Sequence, residues 1–571
     1  MRIQPATGQA TSDATATDSA SPGGAAGSNG AHPAAGGSSD GSPGHAAPGH
    51  RSGAGRWRAR RRGALALIGR IPSLLRLHWL LSILLVAGLV LRVLAQMAYH
   101  PAIIYIDTLK YLYDNWPGSD PVGYKVPLKI ILAVGDLGTV EVVQHLLGLA
   151  IAVALYAIMV RRGLPRWLAA LAVAPVLLDT YQVQVEAMIM PDIWFEALVV
   201  AGIVVLLWRP VPSMRLALIG GALLGASTGI RQVGEVLIIP ALILVLAMGG
   251  GWRKVAQNAT AVICAFALAL LFYLSADYQL AGHFWISRSS VSLTYGRMAA
   301  AADCATLKLP KVEQPLCPTK AEQAKGPDWL DHGEYSPLRT FDTSLPVALL
   351  SQENQLVANF NKSVEHQQPL RVASGILHDS VKLFAVSRLT SPGDTPIVRW
   401  QFQRHFPTVQ YGPWISVVNN KIWLDLGSLE SANLTELNPA YGGAPQVDKP
   451  IAAFLRYIQV HGVYTPGPLF LLCLITGLAG SVLAFMRRPR YAAARPAALA
   501  CLFFWATGVF VLGVSDLFEF TWRYQIPALV TLPPAGALGI GALVLAIRKP
   551  REAAAPETVP GRAPEMATPA P

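Results

Sequence analysis

Apolar residues in this chain gather into runs near twenty residues long, the length a helix needs to cross a hydrocarbon core. Hydropathy predicts about ten transmembrane helices. They fall near Leu74–Ala98, Thr139–Val160, Pro165–Leu178, Ile193–Trp208, Met214–Gly229, Val233–Gly249, Val255–Ala276, Thr465–Phe485, Ala497–Val514 and Gln525–Ile547. Between Asp277 and Tyr464 the pattern changes, and aromatics, prolines and charges interleave as in a folded domain rather than a linker. Within it, Ser374–Arg388 reads either as an amphipathic helix lying at the membrane interface or as an ordinary surface helix. From Met1 to about Gly55 the chain is Gly, Ala, Ser, Thr and Pro with little else, too poor in apolar surface to order itself. The expectation is an all-α polytopic membrane protein with a mixed extracytoplasmic loop domain. It divides into a disordered cytoplasmic tail (1–55), an N-terminal transmembrane module (74–276), the loop domain (277–464), C-terminal transmembrane helices (465–547) and a second disordered tail (550–571).

Composition narrows the class. Of 571 residues, 52% are hydrophobic and 14% charged, with a mean hydropathy of +0.39. A soluble globular protein carries about a quarter charged residues, so that class is excluded. The net charge of +12 does not point to nucleic acid as a partner, because no zinc-knuckle, RNP or helix-turn-helix pattern accompanies it. Its basic residues instead cluster in every second short loop. They are Arg56–Arg62, Arg161, Arg162 and Arg166, Arg209 and Arg215, Arg253 and Lys254, Arg487–Arg490, and Arg548–Arg551. That alternation is the positive-inside pattern. It predicts a multi-pass plasma-membrane protein, in a bacterium an inner-membrane one, with both termini cytoplasmic. The segments Ala98–Gly138, Asp179–Asp192, 277–464 and Ser515–Trp522 then face outward.

Of the five cysteines, Cys264, Cys473 and Cys501 lie in apolar runs and read as small hydrophobic residues. Cys304 and Cys317 lie in the long polar segment and are either a disulfide in an oxidising compartment or two free thiols. No metal-ligand spacing is present, and dependence on a divalent metal stays open.

Candidate chemistry gathers at the predicted outer ends of the helices. Asp107 follows apolar residues in the first outer segment, where partial burial would tune a general base, and Lys110 lies one helical turn on. The second outer segment carries Asp179, Glu186 and Asp192 with no cation of its own, which suits sugar hydroxyls first, a metal second, or plain loop polarity. Arg231 interrupts an apolar run and either pairs with Glu235 or binds an anion in a cavity. Arg92 sits near the outer end of the first run, and His145 reads as a core histidine. Arg523, flanked by Trp522 and Tyr524, reads either as an interfacial anchor or as an anion ligand.

Taken in order, these pieces resemble the integral-membrane GT-C glycosyltransferases, the superfamily of protein O-mannosyltransferases and lipid A aminoarabinose transferases. The likeness is carried by Arg92, Asp107, the segment His145–Asp192 with its Arg161–Arg166 hairpin, Gly225–Arg231 and the ending Arg523-Tyr524-Gln525-Ile526-Pro527. It covers roughly Leu74–Trp252 and Leu512–Ile547. The resemblance implies a polyprenyl-phosphate sugar as donor and an extracytoplasmic glycan, lipid or protein hydroxyl as acceptor. It implies Asp107 as the base, inversion at the anomeric carbon, and Lys110, Arg231 and Arg523 as ligands of the donor phosphate. Glu186, Asp192, Tyr524 and Arg92 are expected to bind substrate. Many members carry Asp-Glu in the first loop, whereas here Thr108 follows Asp107. A non-enzymatic flippase or transporter of lipid-linked sugars is the alternative, disfavoured by spans whose centres are nearly free of charge.

Overall fold

The computed structural model describes residues 73, 75–112, 121–281, 284, 286–287, 289–405, 414–418, 421–425 and 441–547. The two expected tails and the basic clusters 56–62 and 548–551 lie outside the described residues. The segment from His78 onward forms a single compact unit.

Among the described residues about 74% are helical and there is almost no sheet. The helices are α1 (Trp79–Ala98), α2 (Ile106–Leu112), α3 (Lys125–Leu132), α4 (Leu137–Arg161), α5 (Arg166–Leu178), α6 (Thr180–Ala187), α7 (Asp192–Leu207), α8 (Met214–Thr228), α9 (Ile238–Met248) and α10 (Trp252–Ala281). Residues 289–460 add α11 (Ser289–Ala301), α12 (Lys320–Gln323), α13 (Gly326–His332), α14 (Pro337–Ser344), α15 (Glu353–Gln367), α16 (Pro369–Ser380) and α17 (Lys449–Val460). The chain closes with α18 (Gly467–Val482), α19 (Arg495–Phe518) and α20 (Pro527–Ile547).

Every one of the ten apolar runs is helical, but among the described residues five helices are long and apolar enough to cross a membrane: α1, α4, α10, α19 and α20. A sixth arises if α5 and α6, bent by 50° at Asp179, count as one broken span. Where the chain turns from α8 to α9, the residues Gln232–Leu237 take a 3-10 helix, which shortens the apolar helix behind it. Small residues allow the bundle to close. A Cβ on Gly221 or Gly225 of α8 would collide with the backbone of Val262 or Phe266 in α10, the small-xxx-small contact expected of helices packing in lipid.

The segment 289–460 is not uniform. Residues 289–372 enclose a core of their own, with Tyr295, Leu316, Leu330, Phe341, Phe360 and Val364 buried. Leu383, Ile397, Trp400, Phe402 and Leu455 instead join the core of the long helices. A disulfide links Cys304 to Cys317, with Cα atoms 5.9 Å apart. Among the described residues, sheet is confined to two short antiparallel pairs: β1 (Tyr99–His100) with β4 (Gln446–Val447), and β2 (Trp414–Val418) with β3 (Lys421–Asp425). The β1–β4 pair, with Asp448 N donating to Ala98 O, ties the end of α1 to the start of α17.

The expected amphipathic helix begins earlier than Ser374, since α16 opens with Pro369 in its first turn. Val372 and Asp379 face inward, whereas Leu370 and Leu377 are exposed, as are Val381, Val386 and Leu389 beyond it.

Candidate functional site

The segment after α1 is strapped to the residues around the end of α6. Ile103 N donates to Ala187 O, Ile189 N to Ile103 O, and Thr108 Oγ1 to Ile189 O at 3.1 Å. Thr108 also closes the turn by accepting from Tyr105 N at 3.0 Å. These bonds fix the first turn of α2, on which Asp107 sits. Thr108 is therefore a latch for the loop.

Arg523 lies in the turns between α19 and α20. Its Nη1 donates to Asp107 Oδ2 at 2.7 Å, while Nε and Nη2 donate to the Asp192 carboxylate at 2.9–3.2 Å. Asp192 is the first residue of α7, where backbone N–H groups and the helix dipole already favour negative charge. Arg231 Nη1 also donates to Asp192 Oδ1, and its guanidinium lies 4.8 Å over the Tyr524 ring. Asp107, Asp192, Arg231, Arg523 and Tyr524 thus meet in one place. Side-chain exposure falls from 17% at Asp107 and 14% at Arg231 to 8% at Arg523 and 4% at Asp192, so the cluster is most accessible at Asp107 and Arg231.

The surroundings are aromatic. Arg523 lies 5.4 Å from the Trp400 ring centre, and Tyr105 packs on Trp400 at 5.2 Å. Burial, with the Asp107 charge adding, pushes the Tyr105 phenol up to about 12. Trp522 is buried and donates to Leu389 O, so the sequence around Arg523 packs inward rather than serving as an interfacial anchor. Gln525 Nε2 donates to Asp516 Oδ1 at 2.8 Å, and Ser380 Oγ donates to Asp516 Oδ2 at 2.7 Å, which joins the Arg523 turn to α16. In the same turn Glu519 is held well above the carboxylate range by burial, and the Asp328 and Asp331 charges add to this.

Two expectations are corrected. Asp179–Asp192 is not an open loop with unpaired acids. It is largely the buried helix α6, and all three acids find cations on distant elements. Asp179 caps α6 and pairs with Arg388 at 2.7 Å, Glu186 pairs with Arg92 and Asp192 with Arg231 and Arg523. Sequence distance hid these partners. Arg231, in turn, pairs with Asp192 rather than with Glu235 four residues on.

Arg92 and Glu186 belong to a separate buried network rather than to the pocket. Arg92 Nε and Nη2 donate to the Glu186 carboxylate at 2.8 and 2.7 Å, and its remaining N–H groups cap the Gly88, Val176 and Leu177 carbonyls. His145 lies 3.1 Å from Glu186 and 3.3 Å from Glu141. A Cβ at Gly148 would fall inside the Glu186 carboxylate, so glycine makes the room this pair needs. Gln182 Nε2 links Glu186 at 3.2 Å to Glu196 at 2.9 Å, one turn beyond Asp192 on α7. The Lys110 side chain lies outside the described residues.

Arginines mark the opposite helix ends. Arg161 and Arg162 donate to the carbonyls that end α7, at Leu207, Trp208 and Arg209, and Arg495 to those that end α9, at Ala247 and Met248. The Asp107–Arg523 pocket sits at the other end of α7. Sequence reasoning missed Trp400, Tyr105, Glu141 and Asp516, since nothing in their local sequence distinguishes them from packing residues. Among the described residues no group of three or more His, Cys, Asp or Glu is arranged to hold a metal ion. Comparison with protein-family models, curated proteins and solved structures returns no match.

Proposed function

We propose that the protein is a membrane glycosyltransferase that moves a sugar from a polyprenyl-phosphate donor to an extracytoplasmic hydroxyl. The observation that carries this reading is the cluster in which the Asp107 carboxylate meets Arg523, with Arg231 joined through Asp192, at the end of the helices remote from the arginine-capped one. Asp107, the most exposed of these four charged groups, is placed to accept the proton of an incoming hydroxyl. Attack of that oxygen on the anomeric carbon breaks the bond to the phosphate, and the departing phosphate takes up negative charge beside preorganised guanidinium groups. A donor anchored in lipid is met at bilayer depth, which is why such cations belong at helix ends. In this reading the arginine-capped ends face the cytoplasm, both termini are cytoplasmic and about ten helices span the plasma membrane. Glu141, His145 and Glu186, buried together among apolar helices, favour a second reading, a transporter of lipid-linked sugars.

Incubating the purified full-length protein with a panel of radiolabelled polyprenyl-phosphate sugars separates the two. A transferase releases polyprenyl phosphate from at least one donor when acceptor is present. Movement of intact donor across a bilayer with no release would establish the transporter instead.

A further inference from the structure

We propose that Asp192 holds the place of the donor phosphate, and that Arg231 becomes the phosphate ligand by leaving Asp192; this rests on the transferase reading above. The Asp192 carboxylate takes the Nε/Nη2 edge of Arg523 and Nη1 of Arg231. A phosphate oxygen would take the Arg231 Nη1 donor that the Asp192 carboxylate now occupies. In this cluster each of the two guanidinium groups already faces a carboxylate. A phosphate that binds one of them competes with the carboxylate it holds.

The contacts decide which cation moves. Arg523 is held on both sides, by Asp107 at 2.7 Å and by Asp192 at 2.9 Å, and its plane is packed near Trp400. Arg231 reaches Asp192 through one nitrogen, is the more exposed of the two and already has a second seat on the Tyr524 ring. Arg231 therefore swings, while Arg523 remains a positioning residue that orients Asp107. Once released, Asp192 keeps Arg523 and the N-terminus of α7 as compensation.

A phosphate ligand loses affinity when a true binding residue is removed and gains affinity when a placeholder is removed. Binding of inorganic phosphate and of a short prenyl monophosphate is measured on the full-length protein in detergent, as wild type and Asp192→Asn. The variant is expected to bind the prenyl monophosphate roughly tenfold more tightly, the size of one partly screened charge interaction. Adding Arg231→Gln is expected to abolish the gain. Tighter binding of the prenyl form than of inorganic phosphate assigns the site to a lipid headgroup, and equal binding assigns it to phosphate itself. Unchanged or weaker binding by folded Asp192→Asn overturns the proposal. A measurement on the wild type does not depend on the variant folding: with saturating prenyl monophosphate, phenylglyoxal modification of Arg231 should fall while that of Arg523 is unchanged. Protection of Arg523 alone would overturn the assignment. If the transferase assay succeeds and these tests fail, only the placeholder role is lost.

Discussion

Asp107 and Arg523 stand 416 residues apart in the chain and meet across 2.7 Å. The same guanidinium holds Asp192 along its other edge. A single planar fork thus sets the relative positions of α2, α7 and the turns before α20, and this explains why arginine rather than lysine occupies the position.

Arg523→Lys keeps the charge and loses the fork. One ammonium cannot reproduce donors directed at two carboxylates, so turnover should drop by about a hundredfold, the scale on which misplaced catalytic groups cost rate. Steady-state kinetics on the donor found in the panel checks this, and near-wild-type turnover would show that the fork is dispensable.

The Arg92–Glu186 pair predicts a stability effect. Breaking a buried ion pair by removing one partner costs about 3–5 kcal/mol, since the other charge is left unpaired. Glu186→Ala and Arg92→Met should each lower thermal stability in detergent strongly. The double variant should be less damaged than the sum of the two, which a double-mutant cycle measures.

Much of the helical framework was legible in the sequence because lipid imposes a length rule on apolar runs, and each expected run contains a helix. Asp107, Arg231 and Arg523 were legible because charge at a helix end has few structural excuses. What the sequence hid was pairing. Nothing near Asp179, Glu186 or Asp192 names Arg388, Arg92 or Arg523, since these contacts exist only after helices from both ends of the chain have packed. The division of the outer segment was hidden for the same reason: Trp400 and Phe402 look like loop aromatics until α17 and the long helices close over them.

Glu519 predicts a pH dependence of stability. Its folded-state affinity for a proton lies well above the ordinary value of 4.5 because of burial and the Asp328 and Asp331 charges. Above pH 4.5 the unfolded chain releases this proton while the folded one retains it, so the folded state binds more protons and stability falls as pH rises through that window. Glu519→Gln should flatten this slope and melt higher than wild type at neutral pH. Parallel melting curves across pH would contradict the account if both proteins kept the same slope.

The Cys304–Cys317 disulfide reports sidedness. In intact cells, a membrane-impermeant maleimide should label these cysteines only after reduction, whereas labelling without reductant would place free thiols there. The bond closes a loop of 13 residues, so its loss should cost the outer segment about 3 kcal/mol, measurable as earlier proteolysis of residues 289–372 in the Cys304→Ser/Cys317→Ser protein.

The decisive comparison is the rate at which wild type and Asp107→Asn release polyprenyl phosphate from the active donor, with donor affinity measured alongside. If this carboxylate takes the hydroxyl proton, the amide should slow release by about 10²–10⁴-fold and leave donor affinity within a few-fold of wild type. Equal rates for the two proteins would show that the chemistry happens somewhere else.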